Sequence, residues 1–340
     1  MTKTELTYKK LIRELGGYRY ETALTETIEK LAGTEPYRVY PEGSVVLRKE
    51  GSGPKVMLLA HTDVPGVFVT GYHDTGALRF CVTDRLNTAA LAGTPVRFEN
   101  GIMGVIEKTD PAAGAAESEK KLLIDIGASD RAEAEKNVPV GAFGLFAEET
   151  EPSADGKALF TPYADDLTGT AILIEVYKRL RDTECPNDLY FVFTADGIME
   201  RSGAVAAARD IGPAAVIGAD PAYLSDIPGE GHHERLRLHG GATVVVRAGN
   251  YFSPCVYTPV WETAKKTGIP AMLLLDKYGD PEMCSAIEVE HGAVGCGVTV
   301  AAGGFGTHRQ MFAGDDAENA AKLICAVLSE GLDPYYRVIK

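Results

Sequence analysis

Four short apolar runs in this chain each lead to a residue that can bind a metal ion. They are residues 56–60 before His61, 189–195 before Asp196, 214–219 before Asp220, and 298–302, which leads through glycines to His308. Apolar runs that alternate with helical patterns predict parallel strands buried on both faces. In such open α/β sheets, ligands bind at the carboxyl ends of the strands. The sequence therefore predicts one convergent site at the edge of a mostly parallel sheet.

The composition allows two domains and argues against two classes of partner. The chain has 340 residues, of which 45% are hydrophobic, enough to build substantial cores. It has 34 Lys and Arg against 48 Asp and Glu, giving a formal net charge of −14. An acidic chain without a basic run argues against nucleic acid and against an anionic membrane surface as partners.

The cysteine pattern and the N-terminus point to a reducing compartment. Six cysteines are scattered along the chain without a C-x-x-C pair, which predicts reduced thiols rather than a disulfide framework. Residues 1–10 contain no apolar signal region, and no apolar run is long enough to span a bilayer. We therefore expect a cytoplasmic protein.

Two kinds of sequence pattern divide the chain into an α/β part and an inserted β part. Helical patterns occupy 4–32, 168–180 and 316–328, and strand-like runs lie between the last two. Residues 66–160 instead contain short strand-like pieces and turns with almost no helical period, including a hairpin signal at Asn100-Gly101. The sequence predicts an α/β domain of 1–65 and 161–340, into which a small β domain of 66–160 is inserted.

The candidate metal ligands each have an ordinary structural alternative. His61 and Asp63 place an imidazole and a carboxylate at one strand end, which suits a metal ligand and the group that orients it. The alternative is a turn histidine beside a solvated aspartate. The pair 165–166, two aspartates before a long helix, could bridge two metal ions or could cap the helix. Asp220 precedes a proline and could be a turn residue. The glycine run before His308 could approach a ligand or form a loop.

Other chemistries fit the sequence poorly. Neither G-x-x-x-x-G-K-[ST] nor G-x-G-x-x-G is present, so the glycines before His308 do not form a known phosphate loop. There is no G-x-S-x-G nucleophile motif. Adjacent histidines cannot easily share one ion, so His232 and His233 are interpreted as surface residues.

Several blocks of the chain resemble one known family. The segment 58–63 is similar to the strand-end motif of the dinuclear-metal aminopeptidases related to glutamyl and deblocking aminopeptidases, the tetrahedral aminopeptidases. Further blocks resemble their inserted β domain and their metal-binding segments; these are 92–98, 100–106, 123–129, 163–169, 202–204 and 219–220. The resemblance covers nearly the whole chain and keeps the order of the blocks. It implies a zinc-peptidase-like α/β fold with a small inserted β-barrel.

The resemblance also implies a set of site residues. His61, Asp165 and Asp220 would form one metal site, with Asp165 bridging to a second ion. Asp63 would orient His61, and His308 matches the second-site histidine with a different spacing to the last helix. The implied cofactor is a divalent metal, Zn or Co, with one or two ions bound.

The resemblance breaks after the apolar run that ends at Ala195. The family has two adjacent glutamates there, a general base and a metal ligand, whereas this chain has Gly197 and Ile198. Loss of a general base typically costs about 10²–10⁴ in rate. Asp196 and Glu200 lie nearby and could replace the glutamates, or could be a capping aspartate and a solvated glutamate.

Two functional hypotheses follow. The first is a metal-dependent aminopeptidase that removes N-terminal residues from peptide substrates at an altered site. The second is a catalytically inactive homologue that acts as an assembly or binding protein. For either hypothesis, the resemblance implies a homo-oligomer formed through the inserted domain.

Overall fold

The computed structural model of the chain describes residues 1–14, 20–83, 86–110, 119–197, 200–224, 236–247, 254–276, 281–289 and 292–334. These residues contain eight α-helices. They are α1 (Lys3–Glu14), α2 (Tyr20–Ala32), α3 (Arg131–Asn137), α4 (Ala164–Leu180), α5 (Ser202–Ile211), α6 (Pro254–Thr267), α7 (Pro281–Ile287) and α8 (Gly314–Glu330).

The same residues contain nineteen strands, several of them very short. They are β1 (Arg38–Val39), β2 (Val45–Lys49), β3 (Lys55–His61), β4 (Gly66–Tyr72), β5 (Leu78–Val82), β6 (Pro95–Phe98), β7 (Met103–Lys108), β8 (Leu122–Asp125), β9 (Phe143–Phe146), β10 (Glu151–Pro152), β11 (Ala158–Thr161), β12 (Asp188–Thr194), β13 (Ala215–Gly218), β14 (Ala222–Tyr223), β15 (Ala242–Arg247), β16 (Ala271–Asp276), β17 (Val294–Thr299), β18 (Ala301–Gly303) and β19 (Gln310–Ala313).

A central sheet of eight strands positions the candidate site. Its order is β1-β2-β12-β3-β13-β17-β15-β16, and four of its seven pairings are parallel. The inner strands β12, β3 and β13 are buried on both faces, as their apolar sequences predict. These three strands run parallel to one another, so their carboxyl ends meet at one edge.

Helices cover both faces of this sheet. On one face, α4 packs against β3, α1 and α8, and the alternate residues Val56, Leu58 and Ala60 of β3 belong to this core. On the other face, α5 and α7 pack together over Met57 and Leu59. Because side chains alternate along β3, the strand contributes residues to two separate cores. The helical patterns predicted at 168–180 and 316–328 lie within α4 and α8.

The segment after β3 forms a closed barrel. Its strand order is β4-β5-β8-β7-β6-β9, and the barrel closes because β9 pairs with both β6 and β4. The hairpin predicted at Asn100-Gly101 joins β6 to β7, with Gly101 at a φ of 84°. Such a φ favours glycine because it has no Cβ. The predicted fold class, an α/β fold with an inserted small β-barrel, is confirmed.

Two details differ from the sequence-based expectation. The helix α3 lies inside the segment that was expected to be almost free of helix, and Asp130 caps it by accepting a hydrogen bond from the Glu133 amide. A five-stranded sheet, β10-β11-β19-β18-β14, also joins the end of that segment to a much later part of the chain. The domain boundaries at 65 and 160 stay a prediction.

The remaining expectations concern thiols, loops and membranes. All six cysteines are free, with Cys284 and Cys296 buried. Among the described residues, no helix is both long and apolar enough to cross a bilayer. His232 and His233, interpreted as surface residues from the sequence, lie outside the described residues.

Candidate metal centre

The centre is built around the imidazole of His61, the last residue of β3. The side chain is buried, and its Nδ1 lies 3.0 Å from the carbonyl oxygen of Asp63. A carbonyl oxygen can only accept a hydrogen bond, so this contact places the proton on Nδ1. In the neutral imidazole the lone pair then lies on Nε2, which is the usual arrangement of a metal-binding histidine.

Two carboxylates approach Nε2 of His61. Asp165 Oδ1 lies 3.2 Å away and Asp220 Oδ1 lies 3.9 Å away. Asp220 reaches this position because it follows β13, the direct parallel neighbour of β3. Asp165 reaches it from the first turn of α4, where its backbone N–H donates to Gln310 Oε1 at 2.9 Å. Of the four strand-end residues predicted to converge, His61 and Asp220 are therefore brought together.

Asp166 is a further carboxylate beside His61, and it is completely buried. His61, Asp165, Asp166 and Asp220 are called the cluster below. Its Oδ2 accepts a hydrogen bond from the backbone N–H of His61 at 3.2 Å, and its Oδ1 accepts one from Gly169 at 2.9 Å. It thus caps the regular part of α4 and also fixes the end of β3. One ligand atom from each of His61, Asp166 and Asp220 lies within 4.8 Å of the others. Asp165 Oδ1 lies at Nε2 of His61, whereas the two oxygens of Asp166 accept backbone hydrogen bonds, so we choose Asp165 as the candidate to face a cation.

The electrostatics of the cluster fit a divalent cation. Burial raises the pKa of Asp166 well above its usual range, and the neighbouring Asp165 raises it further. Burial lowers the pKa of His61, but Asp165, Asp166 and Glu282 outweigh this effect and raise it to about 9. Several carboxylates therefore surround one buried imidazole, and together in their ionised forms they would place an excess of negative charge there. Imidazole and carboxylate groups are ligands that Zn and related divalent ions accept, so the residues present suit such an ion.

Asp63 connects this centre to the loop after β12. Its carboxylate Oδ1 accepts a hydrogen bond from the backbone N–H of Gly197 at 2.8 Å. The same oxygen lies 3.4 Å from Nδ1 of His61. Asp63 therefore contacts His61 on the side opposite to the two carboxylates that approach Nε2.

The structure does not bring Asp196 and Glu200 into this cluster. Asp196 Oδ2 accepts a hydrogen bond from Ser202 Oγ at 2.6 Å, and its Oδ1 accepts one from the Glu200 amide at 3.3 Å. Glu200 itself is exposed. Asp196 thus holds the turn that leads into α5, in keeping with the capping alternative. The neighbouring position, Ile198, lies outside the described residues.

His308 lies in the connection between β18 and β19, close to the end of the barrel segment. Its Nε2 is 3.7 Å from Glu148 Oε1, and Arg309 also binds Glu148 at 2.6 Å. Its buried Nδ1 has no hydrogen-bond partner in the described part of the chain. His308 is not a member of the group that includes His61, so its role as a second-site ligand stays a prediction.

Comparison with known proteins places the chain in a family. The family model described as M42 glutamyl aminopeptidase matches residues 43–323, a range that includes every residue of the cluster. This chain belongs to the M42 family. The resemblance deduced from the sequence blocks is therefore confirmed, and membership supports a peptidase function.

Individual M42 relatives agree with this assignment. A candidate aminopeptidase of Acetivibrio thermocellus is 32% identical over 241 residues, covering 70% of this chain and 71% of that protein. A lysyl aminopeptidase of Pyrococcus furiosus is 27% identical over 239 residues, covering 67% of each chain. The TET1 peptidase of Pyrococcus horikoshii, which can assemble into a tetrahedron or a large octahedral shell, aligns with a TM-score of 0.81 and 26% identity over 96% of this chain and 99% of that chain.

One acidic residue near His61 in this M42 chain is not predicted by the sequence patterns. Glu282, in the first turn of α7, is 2% exposed and lies close enough to His61 to raise its pKa. No apolar strand leads directly into Glu282, so the expectation that site residues follow apolar strands does not predict it. The available signal was weaker, namely an acidic residue next to Pro281 at a helix start.

Proposed function

We propose that this M42 chain is a metal-dependent aminopeptidase that removes N-terminal residues from peptides. The observation that carries the proposal is the convergence of Asp165 and Asp220 on Nε2 of His61 at the carboxyl edge of the sheet. A fold alone does not determine function. The proposal therefore rests on the positions of these side chains in the site.

Three side chains of the cluster would hold the ion. These are His61, Asp165 and Asp220, while Asp166 fixes the backbone of His61 from behind. A bound Zn or Co ion would polarise the scissile carbonyl and lower the pKa of a water molecule. The count of one or two ions depends on His308, which we retain as the proposed ligand of a second site.

Other groups of the site orient His61 and attract the amino terminus of the substrate. The Asp63 carbonyl accepts the Nδ1 proton of His61, so Nε2 is the nitrogen that would bind a cation once its own proton is displaced. The negative charge of the cluster suits the protonated amino terminus of a peptide, which is the group that distinguishes an aminopeptidase substrate. Asp196 and Glu200 are not part of this proposal, because the Asp196 carboxylate accepts a hydrogen bond from Ser202 and Glu200 is exposed.

The proposal includes a homo-oligomer in a reducing compartment. The Pyrococcus horikoshii relative assembles into large shells. Several large apolar side chains are exposed on this chain between residues 66 and 160; these are Phe68, Met103, Val105 and Val140. We propose that these side chains contribute to the contact between subunits, because association sites bury exposed apolar surface. Six free cysteines support a reducing compartment such as the cytoplasm.

Variants of the cluster test the proposed function. We expect His61→Asn and Asp220→Asn to lose both bound metal and the release of N-terminal residues from peptides. Asp182→Asn is the matched control, because its carboxylate is 84% exposed in a surface ion pair. Metal content by mass spectrometry and peptide hydrolysis are measured on the same samples. Full hydrolysis by His61→Asn would contradict the proposal, and an inactive wild type that binds metal would favour the binding-protein alternative.

A further inference from the structure

Glu282 reaches the centre from an element far away in sequence. The helix α7 packs beside α5 on the face of the sheet that holds Met57 and Leu59. Because side chains alternate along β3, His61 points to this same face. The packing of α7 thus brings the carboxylate of Glu282 to the carboxyl ends of the central strands, where it is almost completely buried.

The contacts of Glu282 fix its carboxylate next to His61. Its Oε1 accepts a short hydrogen bond from Thr194 Oγ1. Thr194 ends β12 and is the registered neighbour of His61 in the parallel pair. The hydrogen bond therefore ties the start of α7 to the strand that lies beside the metal centre.

Position 197 cannot provide a carboxylate of its own at this place. A Cβ added at Gly197 would lie 2.2 Å from His61 Cβ and 3.0 Å from Glu282 Oε1. Real Cβ contacts are not shorter than about 3 Å, so any side chain would displace His61. The space in front of Gly197 is already bounded by the imidazole and by the carboxylate of Glu282.

A buried carboxylate at this point favours a nearby cation. Removing an ionised carboxylate from water costs several kcal/mol unless an opposite charge compensates for it. The carboxylates of Asp165 and Asp166 close to His61 increase that cost when they are ionised. A divalent ion at the cluster would be stabilised by each of these carboxylates in its ionised form. The hydrogen bond from Thr194 holds the Glu282 carboxylate beside His61.

We propose that Glu282 is a positioning residue of the metal centre, whose buried charge strengthens the binding of a divalent cation by His61, Asp165 and Asp220. The proposal rests on the proposed function in one respect, because it takes these three residues as the ligands. Glu282 acts through charge and through Thr194 rather than by contact with substrate.

The test is a calorimetric titration of the metal-free protein with Zn or Co. We expect Glu282→Gln, which keeps the size and the acceptor for Thr194, to bind the ion about 10–100-fold more weakly than wild type. Glu288→Gln is the matched control, because Glu288 is exposed just beyond the end of α7. Unchanged affinity in Glu282→Gln would overturn the proposal, since a purely structural role predicts that result.

A second variant covers a failure of the first to fold. Glu282→Met removes the charge without burying an amide, and the same 10–100-fold loss of affinity is expected. If neither variant folds, the role of Glu282 is structural and the proposal is overturned. A wild type that binds metal but does not cleave peptides contradicts the proposed function alone. Wild-type affinity in a folded Glu282→Gln contradicts this inference alone.

Discussion

At the scale of single residues, His61 is where the separate parts of the centre meet. Its Nδ1 contacts the Asp63 carbonyl, its Nε2 faces Asp165, and its backbone N–H donates to Asp166. A side chain held at both ring nitrogens, on a backbone that is itself held, loses little further entropy when it binds a ligand. The imidazole is therefore already oriented for a cation, and small displacements of it are expected to be costly.

The close approach of Gly197 to His61 gives a prediction at this scale. In Gly197→Ala the new methyl group would lie 2.2 Å from His61 Cβ, so the imidazole must move by about 1 Å. A displacement of that size can cost about 10²-fold in rate, and we expect this loss in kcat/KM for peptide hydrolysis. Gly71→Ala is the control, because the nearest atom to its Cβ is 3.9 Å away. Equal kcat/KM for the two variants would show that Gly197 does not constrain the centre.

The sequence predicts some residues of the centre and misses others for a physical reason. His61 and Asp220 follow apolar parallel strands, and adjacent parallel strands must end at one edge, so their convergence could be predicted. Glu282 arrives through the packing of α7 over the sheet, which no local pattern encodes. Asp166 could be interpreted as a helix cap, but its second hydrogen bond, from the His61 amide, depends on tertiary structure.

At the scale of elements, Glu318 on α8 joins three helices on one face of the sheet. It accepts hydrogen bonds from Arg179 on α4, at 2.9 and 3.0 Å, and from Thr4 on α1 at 2.9 Å. Burial raises the pKa of Glu318, but these hydrogen bonds outweigh it and hold the pKa below its usual value. The ionised form is therefore favoured in the folded state.

This pKa shift predicts the sign of a pH dependence. A carboxylate whose pKa is lowered on folding stabilises the protein above its usual pKa, and the contribution is lost as the pH falls below that value. For Glu318→Gln we expect a loss of about 1 kcal/mol in the free energy of unfolding at pH 7, since the pair is partly exposed to solvent. The difference from wild type should disappear in acid. Urea unfolding at several pH values measures it.

The control for this prediction lies at the other end of α8. Glu330 pairs with Lys266 at 2.7 Å, but both side chains are more than half exposed. Exposed pairs contribute little, so Glu330→Gln should leave the free energy of unfolding nearly unchanged. A Glu318→Gln variant as stable as Glu330→Gln at pH 7 would contradict the role assigned to the three-helix contact.

The elements that the sequence predicts well are those with strong local patterns. The amphipathic patterns of α4 and α8 and the apolar runs of the central strands are long enough to reveal their period. The helix α3 has only seven residues and only alanines as apolar residues, so its sequence carries no clear period. The pairing of β11 with β19 joins distant parts of the chain, and such register is set by tertiary packing rather than by local sequence.

At the scale of the whole molecule, we expect a homo-oligomer formed through the barrel segment. Val140 is 59% exposed within that segment and is the residue we choose to test. Light scattering should give a mass that is a multiple of 36.3 kDa for the wild type and a lower mass for Val140→Lys. Val39→Lys, at a 49% exposed position on β1, should keep the wild-type mass. A monomeric wild type would contradict this expectation.

We propose that His61, Asp165 and Asp220 form the metal centre of an aminopeptidase. The most direct test is to incubate the protein with a mixed pool of peptides, with added Zn or Co or with a chelator, and to follow the products by mass spectrometry. We expect loss of single N-terminal residues that depends on metal and stops with the chelator. Intact peptides under every metal condition, or equal cleavage in the presence of the chelator, would contradict it.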